Sequence, residues 1–186
     1  TFLRMKKNIF KTLALVAVFA IFGLCCNAAP ATPAAQQKEQ KVGPVELDLG
    51  CFKCKVPEGW KVKHEKAGNF AMLAIEPVNK DEFNKKIKTN FGFEISVNAA
   101  TFTTMEKKCD EAATQYSSGI ERSSKTIADV NYEVFHVDAA KDGGAGISDR
   151  LIAPLKVKGT IDISIPSLGL DHKAVKEFLN SIVLVK

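Results

Sequence analysis

The sequence predicts an α+β protein: one domain on a mostly antiparallel central β-sheet, with helices packed against it. Three observations predict this. Apolar and polar residues alternate with period two over many short segments. Short polar turns join those segments and leave no room for crossover helices. Elsewhere the spacing switches to that of one-sided helices. A chain of 186 residues suits a single hydrophobic core.

The strand signal starts at Val45. Leu47, Leu49, Phe52, Cys54 and Val56 alternate with polar residues such as Lys53 and Lys55, and Pro57-Glu58-Gly59 turns the chain. Trp60 and Val62 alternate with Lys61 and Lys63. After the turn Lys66-Ala67-Gly68-Asn69, residues 70–75 are apolar enough for a central strand. A three-stranded meander is expected. Phe83 and Ile87, four apart, with Asn79 and Glu82 at capping-box spacing, predict a short helix. Residues 91–97 form another expected strand.

Thr103 and Glu106 again have capping-box spacing. Met105, Cys109, Ala112, Ala113 and Tyr116 fall on one helical face before Gly119 ends the helix. That helix should cover one face of the sheet. Strands are expected at residues 125–130, 132–137, 149–157 and 160–165, with the glycine-rich residues 142–146 as a flexible connection. Asp171 is the expected N-cap of a closing helix whose Val175, Phe178, Leu179 and Ile182 stand at i, i+3, i+4 and i+7.

Upstream of this domain the chain carries an address. Lys6, Lys7 and Lys11 form a charged region after Met5, the expected true start, and residues 12–24 are an almost unbroken apolar run. That run is shorter than the roughly 20 residues a membrane-spanning helix needs, so residues 1–28 fit an export signal. Phe22-Gly23-Leu24-Cys25-Cys26 resembles a bacterial lipobox, which makes Cys25 and Cys26 the lipidation candidates. The alternative is simple cleavage after Cys26-Asn27-Ala28, giving a secreted soluble protein. Residues 29–42, rich in Ala, Pro, Thr and Gln, cannot bury enough surface to fold and are expected as a tether before a globular domain at 43–186.

Charge narrows the function further. Of 26 basic and 21 acidic residues, six basic and one acidic precede Gly43, which leaves a neutral domain. Without a cluster of Lys and Arg there is no electrostatic footprint for phosphate backbones, so nucleic-acid binding is disfavoured.

The strand at residues 52–57 entering Pro57-Glu58-Gly59-Trp60, the mid-chain amphipathic helix, the Asn131-Tyr132-Glu133-Val134 strand and the closing Phe178-Leu179-Asn180-Ser181-Ile182 together resemble the PsbP/Mog1/DcrB-like superfamily. The similarity covers about residues 45–186. It implies an α/β/α sandwich, a central antiparallel sheet between helices, and a binding or accessory role without catalysis.

Cys51 and Cys54 have the spacing of a redox or zinc half-motif, but three residues along a strand span about 10 Å and a disulfide needs Cα atoms within about 7 Å. Buried free thiols are one expectation; the other is a bridge from Cys54, or from Cys51, to Cys109 on the buried face of its helix. It would close a long loop and contribute about 3–4 kcal/mol in the entropic account. His64, His136 and His172 show no ligand spacing, although His136 with Asp138, or His172 with Asp171, could contribute to a metal site. The stretch from Asp142 to Asp149 lacks the alternating oxygens of a calcium loop. No glycine-flanked serine elbow or phosphate-cradling loop occurs.

These features predict no enzyme, no cofactor, no resident metal and no catalytic residue. They predict an exported envelope protein on the periplasmic side that binds a protein partner or a small ligand, anchored to membrane by lipid if Cys25 or Cys26 is acylated. A thiol-redox or metal-handling protein using Cys51, Cys54 and Cys109 is the alternative.

Overall fold

A computed structural model of the chain describes residues 39–87, 94–115, 120–137, 147–166 and 169–185. All belong to one unit, Ala35–Lys186. Cys25, Cys26, Tyr116, Asp138 and the glycine-rich residues 142–146 lie outside the described residues.

The element order is β1 Glu39–Val42, β2 Val45–Asp48, β3 Phe52–Val56, β4 Trp60–Ala67, β5 Phe70–Pro77, α1 Lys80–Ile87, β6 Ile95–Ala100, α2 Met105–Gln115, β7 Ile120–Ile127, β8 Val130–Val137, β9 Ile147–Pro154, β10 Thr160–Pro166, α3 Lys173–Asn180 and β11 Val183–Leu184. Eight strands form one sheet in the order β1-β4-β5-β6-β10-β9-β8-β7, and three form a second, β11-β3-β2. Every described pairing is antiparallel. The expected α+β class with a mostly antiparallel sheet is therefore found.

Alternation explains how the large sheet divides its faces. Val62, Leu73, Ile75, Val97, Val134, Leu151, Ile161 and Ile163 point inward, where they meet Phe52, Cys54 and Val56 of β3 and Val175, Phe178, Leu179 and Ile182 around α3. Their strand neighbours Phe135 and Ile152 point the other way, against Cys109 and Ala112 of α2. Only three helices occur among the described residues. One face of the large sheet is covered by a small sheet and α3 together, so helices alone do not make the outer layers.

Several local expectations shift. The strand expected through Val45 to Val56 breaks in two at Gly50, whose φ of 85° is open to glycine at little cost. The Asp48 carboxylate accepts the Gly50 N–H at 2.9 Å to close this turn. β3 then pairs with β2 and β11, not with β4, so the expected meander is replaced by strands in two sheets. Of the tether expected over residues 29–42, residues 29–38 lie outside the described residues, and residues 39–42, its last part, form the edge strand β1 paired with β4. Polar residues suffice there, as an edge strand has little to bury.

The turn expected after Val130 lies earlier, at Ala128 and Asp129, which both take positive φ (47° and 65°) between β7 and β8. That is the two-residue hairpin whose twist suits paired strands. Half of the Asn79–Glu82 box forms, with the Glu82 N–H donating to Asn79 Oδ1 at 3.2 Å, while the Glu82 carboxylate accepts from the Asn79 side-chain amide at 3.2 Å. At α2 the cap is Thr104, whose hydroxyl accepts from the Lys107 N–H at 3.3 Å, one residue later than expected. At α3 the N-cap is His172, and Asp171 is turned to Lys176 at 2.9 Å.

Gly159 closes the β9–β10 turn at φ 125°, and an added Cβ there would run into the Ala100 carbonyl oxygen and the Thr101 Cα. Gly159→Ala is expected to lose roughly 1–3 kcal/mol of stability through overpacking. A denaturant midpoint equal to the parent's would show that β6 and this turn are not in close contact.

Candidate functional site

Four connections meet at one end of the domain: the β2–β3, β4–β5, β6–α2 and β9–β10 links. Their convergence follows from register. Phe70 and Thr160 both face Ala100 across β6, the Thr101 N–H donates to the Asn69 carbonyl at 3.0 Å, and the Leu155 N–H to the Gly159 carbonyl at 3.0 Å. Between them lies a cleft of about 220 Å³ lined by Leu49, Cys51, Lys66, Phe70, Thr101 and Val157, among others. The Cys51 thiol is half-buried here, 4.0 Å from the Leu49 carbonyl oxygen. Burial pushes its pKa up against the opposing pull of backbone hydrogen bonding at Cys51 and of Lys66, which keeps it a thiol and a weak nucleophile.

The other two cysteines are placed apart. Cys54 is packed between the sheets, where burial pushes its pKa up to about 12. Cys109 lies under α2 on the far face of the large sheet, also raised by burial. All three are free. The structure does not bring Cys54 or Cys51 to Cys109 for the bridge considered: Cys54 and Cys51 belong with the cluster that holds Leu151, and Cys109 belongs with the one that holds Ile152, on opposite faces of β9. Sequence spacing placed both cysteines on buried faces, and nothing in it distinguished the two sides.

The second cluster was missed from sequence. Arg150 on β9 donates from Nε and Nη2 to the two Asp162 oxygens on β10 at 2.9 and 2.6 Å. Its Nη1 donates to Gln115 Oε1 on α2 at 2.6 Å. Lys108 stands 3.7 Å from Asp162 and 2.9 Å from Glu111. Two parallel charge-assisted bonds give both strength and direction, so this network fastens α2 to the sheet beside the Cys109 cluster. The available signal was one charged residue in each of two apolar runs, Arg150 before Leu151-Ile152-Ala153 and Asp162 amid Ile161 and Ile163.

The histidines separate. His136 Nδ1 lies 2.8 Å from Asp149 Oδ1 across the β8–β9 pair. His172 packs edge-on with Trp60 and Phe83, ring centroids 6.4 and 5.8 Å away. Among the described residues no group of three His, Cys, Asp or Glu is placed to hold a metal ion.

Burial depresses the His172 pKa below 6.5, so the unfolded chain takes up this proton first. Stability should therefore fall as pH drops below that value. A second, lower window belongs to Glu76. Burial would raise this carboxyl, but hydrogen bonds from Lys80 and Lys61 override it and hold it below 4.5. Its contribution is present above 4.5 and is lost as pH falls through the folded value. Between about pH 7 and 5 the urea midpoint of the parent should fall more steeply than that of His172→Phe. Equal slopes would mean that the ring is solvated.

No family model, curated protein or solved structure matches this chain.

Proposed function

We propose that this is an exported cell-envelope protein, a lipoprotein acylated at Cys25 or Cys26, whose domain binds a partner or small ligand without catalysing a reaction. The observation that carries it is the order of parts in the sequence: a basic start, a short apolar run ending in two cysteines, an Ala/Pro-rich tether and a folded domain. The structural groups that could bear chemistry support a binding role, because each has a job within the fold. Arg150 and Asp162 fasten α2, and the three thiols are held protonated by burial. The mostly antiparallel sheet agrees with the coarse part of the PsbP/Mog1/DcrB-like resemblance, whereas the small sheet β11-β3-β2 on one face departs from its α/β/α arrangement.

The test is the intact mass of protein isolated from its native envelope. A mass carrying a diacylglyceryl group on a chain starting at Cys25 or Cys26 is expected; an unmodified chain starting after Ala28 would replace the anchored protein with a secreted one. Turnover of an envelope substrate that a single polar substitution abolishes would overturn the non-catalytic role.

A further inference from the structure

We infer that the end of the domain bearing the Cys51 cleft is a docking surface for an anionic phospholipid bilayer. Among the described residues, Phe102 is the most exposed large apolar side chain, at 71%. Phe102 lies on the β6–α2 connection, next to Thr101 of the cleft. Val157, 38% exposed, lies at the tip of the β9–β10 turn. Both sit on loops, so they can enter an interface while the strands keep their pairing. Exposed apolar tips gain burial in the headgroup region, and basic neighbours add attraction to anionic lipid.

The basic neighbours are present. Lys66 is exposed at the end of β4, just before the β4–β5 turn, and Lys156 and Lys158 flank Val157. Among the described residues none of the three is in an ion pair. On these connections and their flanks the acidic side chains are Asp48, held by Lys53 at 3.0 Å and also facing Lys66, Glu65, and Glu106, which is followed by Lys107. An otherwise neutral domain thus carries local positive charge where its exposed ring stands.

Topology aims this end in a consistent direction. β1 runs antiparallel to β4, with Glu39 opposite His64 and Val42 opposite Lys61. β4 runs toward the Gly68–Asn69 turn, so the chain enters β1 from the side of the domain that carries the cleft. A chain anchored upstream would present this end to the bilayer that holds it. The exposed ring and lysines stand whether or not an acyl group is attached, so the surface does not depend on the lipidation proposed above.

The test uses the full chain with Phe102→Trp or, as a control at the opposite end, Val78→Trp, which is 47% exposed. Trp60, 5% exposed, is a constant background. With phosphatidylglycerol-containing vesicles bearing brominated acyl chains, the tryptophan introduced at 102 should shift to the blue and be quenched, and the one at 78 should not. Reversing Lys66, Lys156 and Lys158 to Glu in the Phe102→Trp chain should weaken this partitioning by about 100-fold or more, since each basic group near an anionic surface is worth a factor of about five. Equal quenching at both positions, quenching at neither, or no effect of charge reversal would overturn the docking surface. The comparison of the two ends stays decisive even where the N-terminal apolar segment itself inserts.

Discussion

Asp162→Ala is expected to lower the unfolding free energy by about 3–5 kcal/mol, the cost of leaving one partner of a buried ion pair without the other. Arg150 is 8% exposed and Asp162 5%. Removing the carboxylate strips the guanidinium of two bonds at 2.9 and 2.6 Å, leaving Gln115 as the acceptor that remains from this network. The pair itself is a different quantity from the cost of breaking it. Desolvating two charges offsets most of their attraction, so Arg150→Met with Asp162→Leu should recover most of the loss. Urea unfolding of the two single variants and the double variant measures both. A single-variant cost under about 1 kcal/mol would mean that the pair is solvated, since exposed pairs contribute that little.

The same network shows where sequence reasoning reaches its limit. Period-two alternation located most strands because each point along a half-buried strand reports its own face, as Val62 and Lys63 do. The apolar spacing of the closing helix was equally legible: Val175, Phe178 and Leu179 of α3 are buried, as is Ile182, which lies past the helix end at Asn180. Alternation does not say which sheet a strand joins. β3 is buried at Phe52, Cys54 and Val56, a pattern that suits the middle of a meander as well as the centre of a separate small sheet. Choosing between them depends on β11, whose two residues Val183–Leu184 are too few to show a period.

Pair identity was hidden for a related reason. Arg150 and Asp162 become neighbours through the antiparallel register of β9 with β10, where Ile152 stands opposite Asp162, and register is set by turn length. The loop-end surface was legible only as composition. Lys156-Val157-Lys158 and Thr101-Phe102-Thr103 are unremarked connections until Gly159 brings their strands against each other.

Native-state alkylation should find Cys54 at least about a thousandfold slower than an ordinary thiol, because the thiolate is the reactive form. The ordinary value of 9.0 is pushed to about 12 by burial, and three pKa units remove that factor in thiolate before access is considered. Access acts in the same direction: a side chain 3% exposed between two sheets reacts only through opening of the structure, so its rate also follows the stability of the unit that opens. Cys51, at the mouth of the cleft, should label first, and Cys109 should be shielded with Cys54. After unfolding without reductant, peptide mapping should find all three labelled. Protection of Cys109 together with Cys54 or Cys51 in the unfolded chain would reveal a bridge. Because the large sheet separates Cys54 from Cys109, a Cys54 bridge would require a different strand order, and it would favour the thiol-redox alternative.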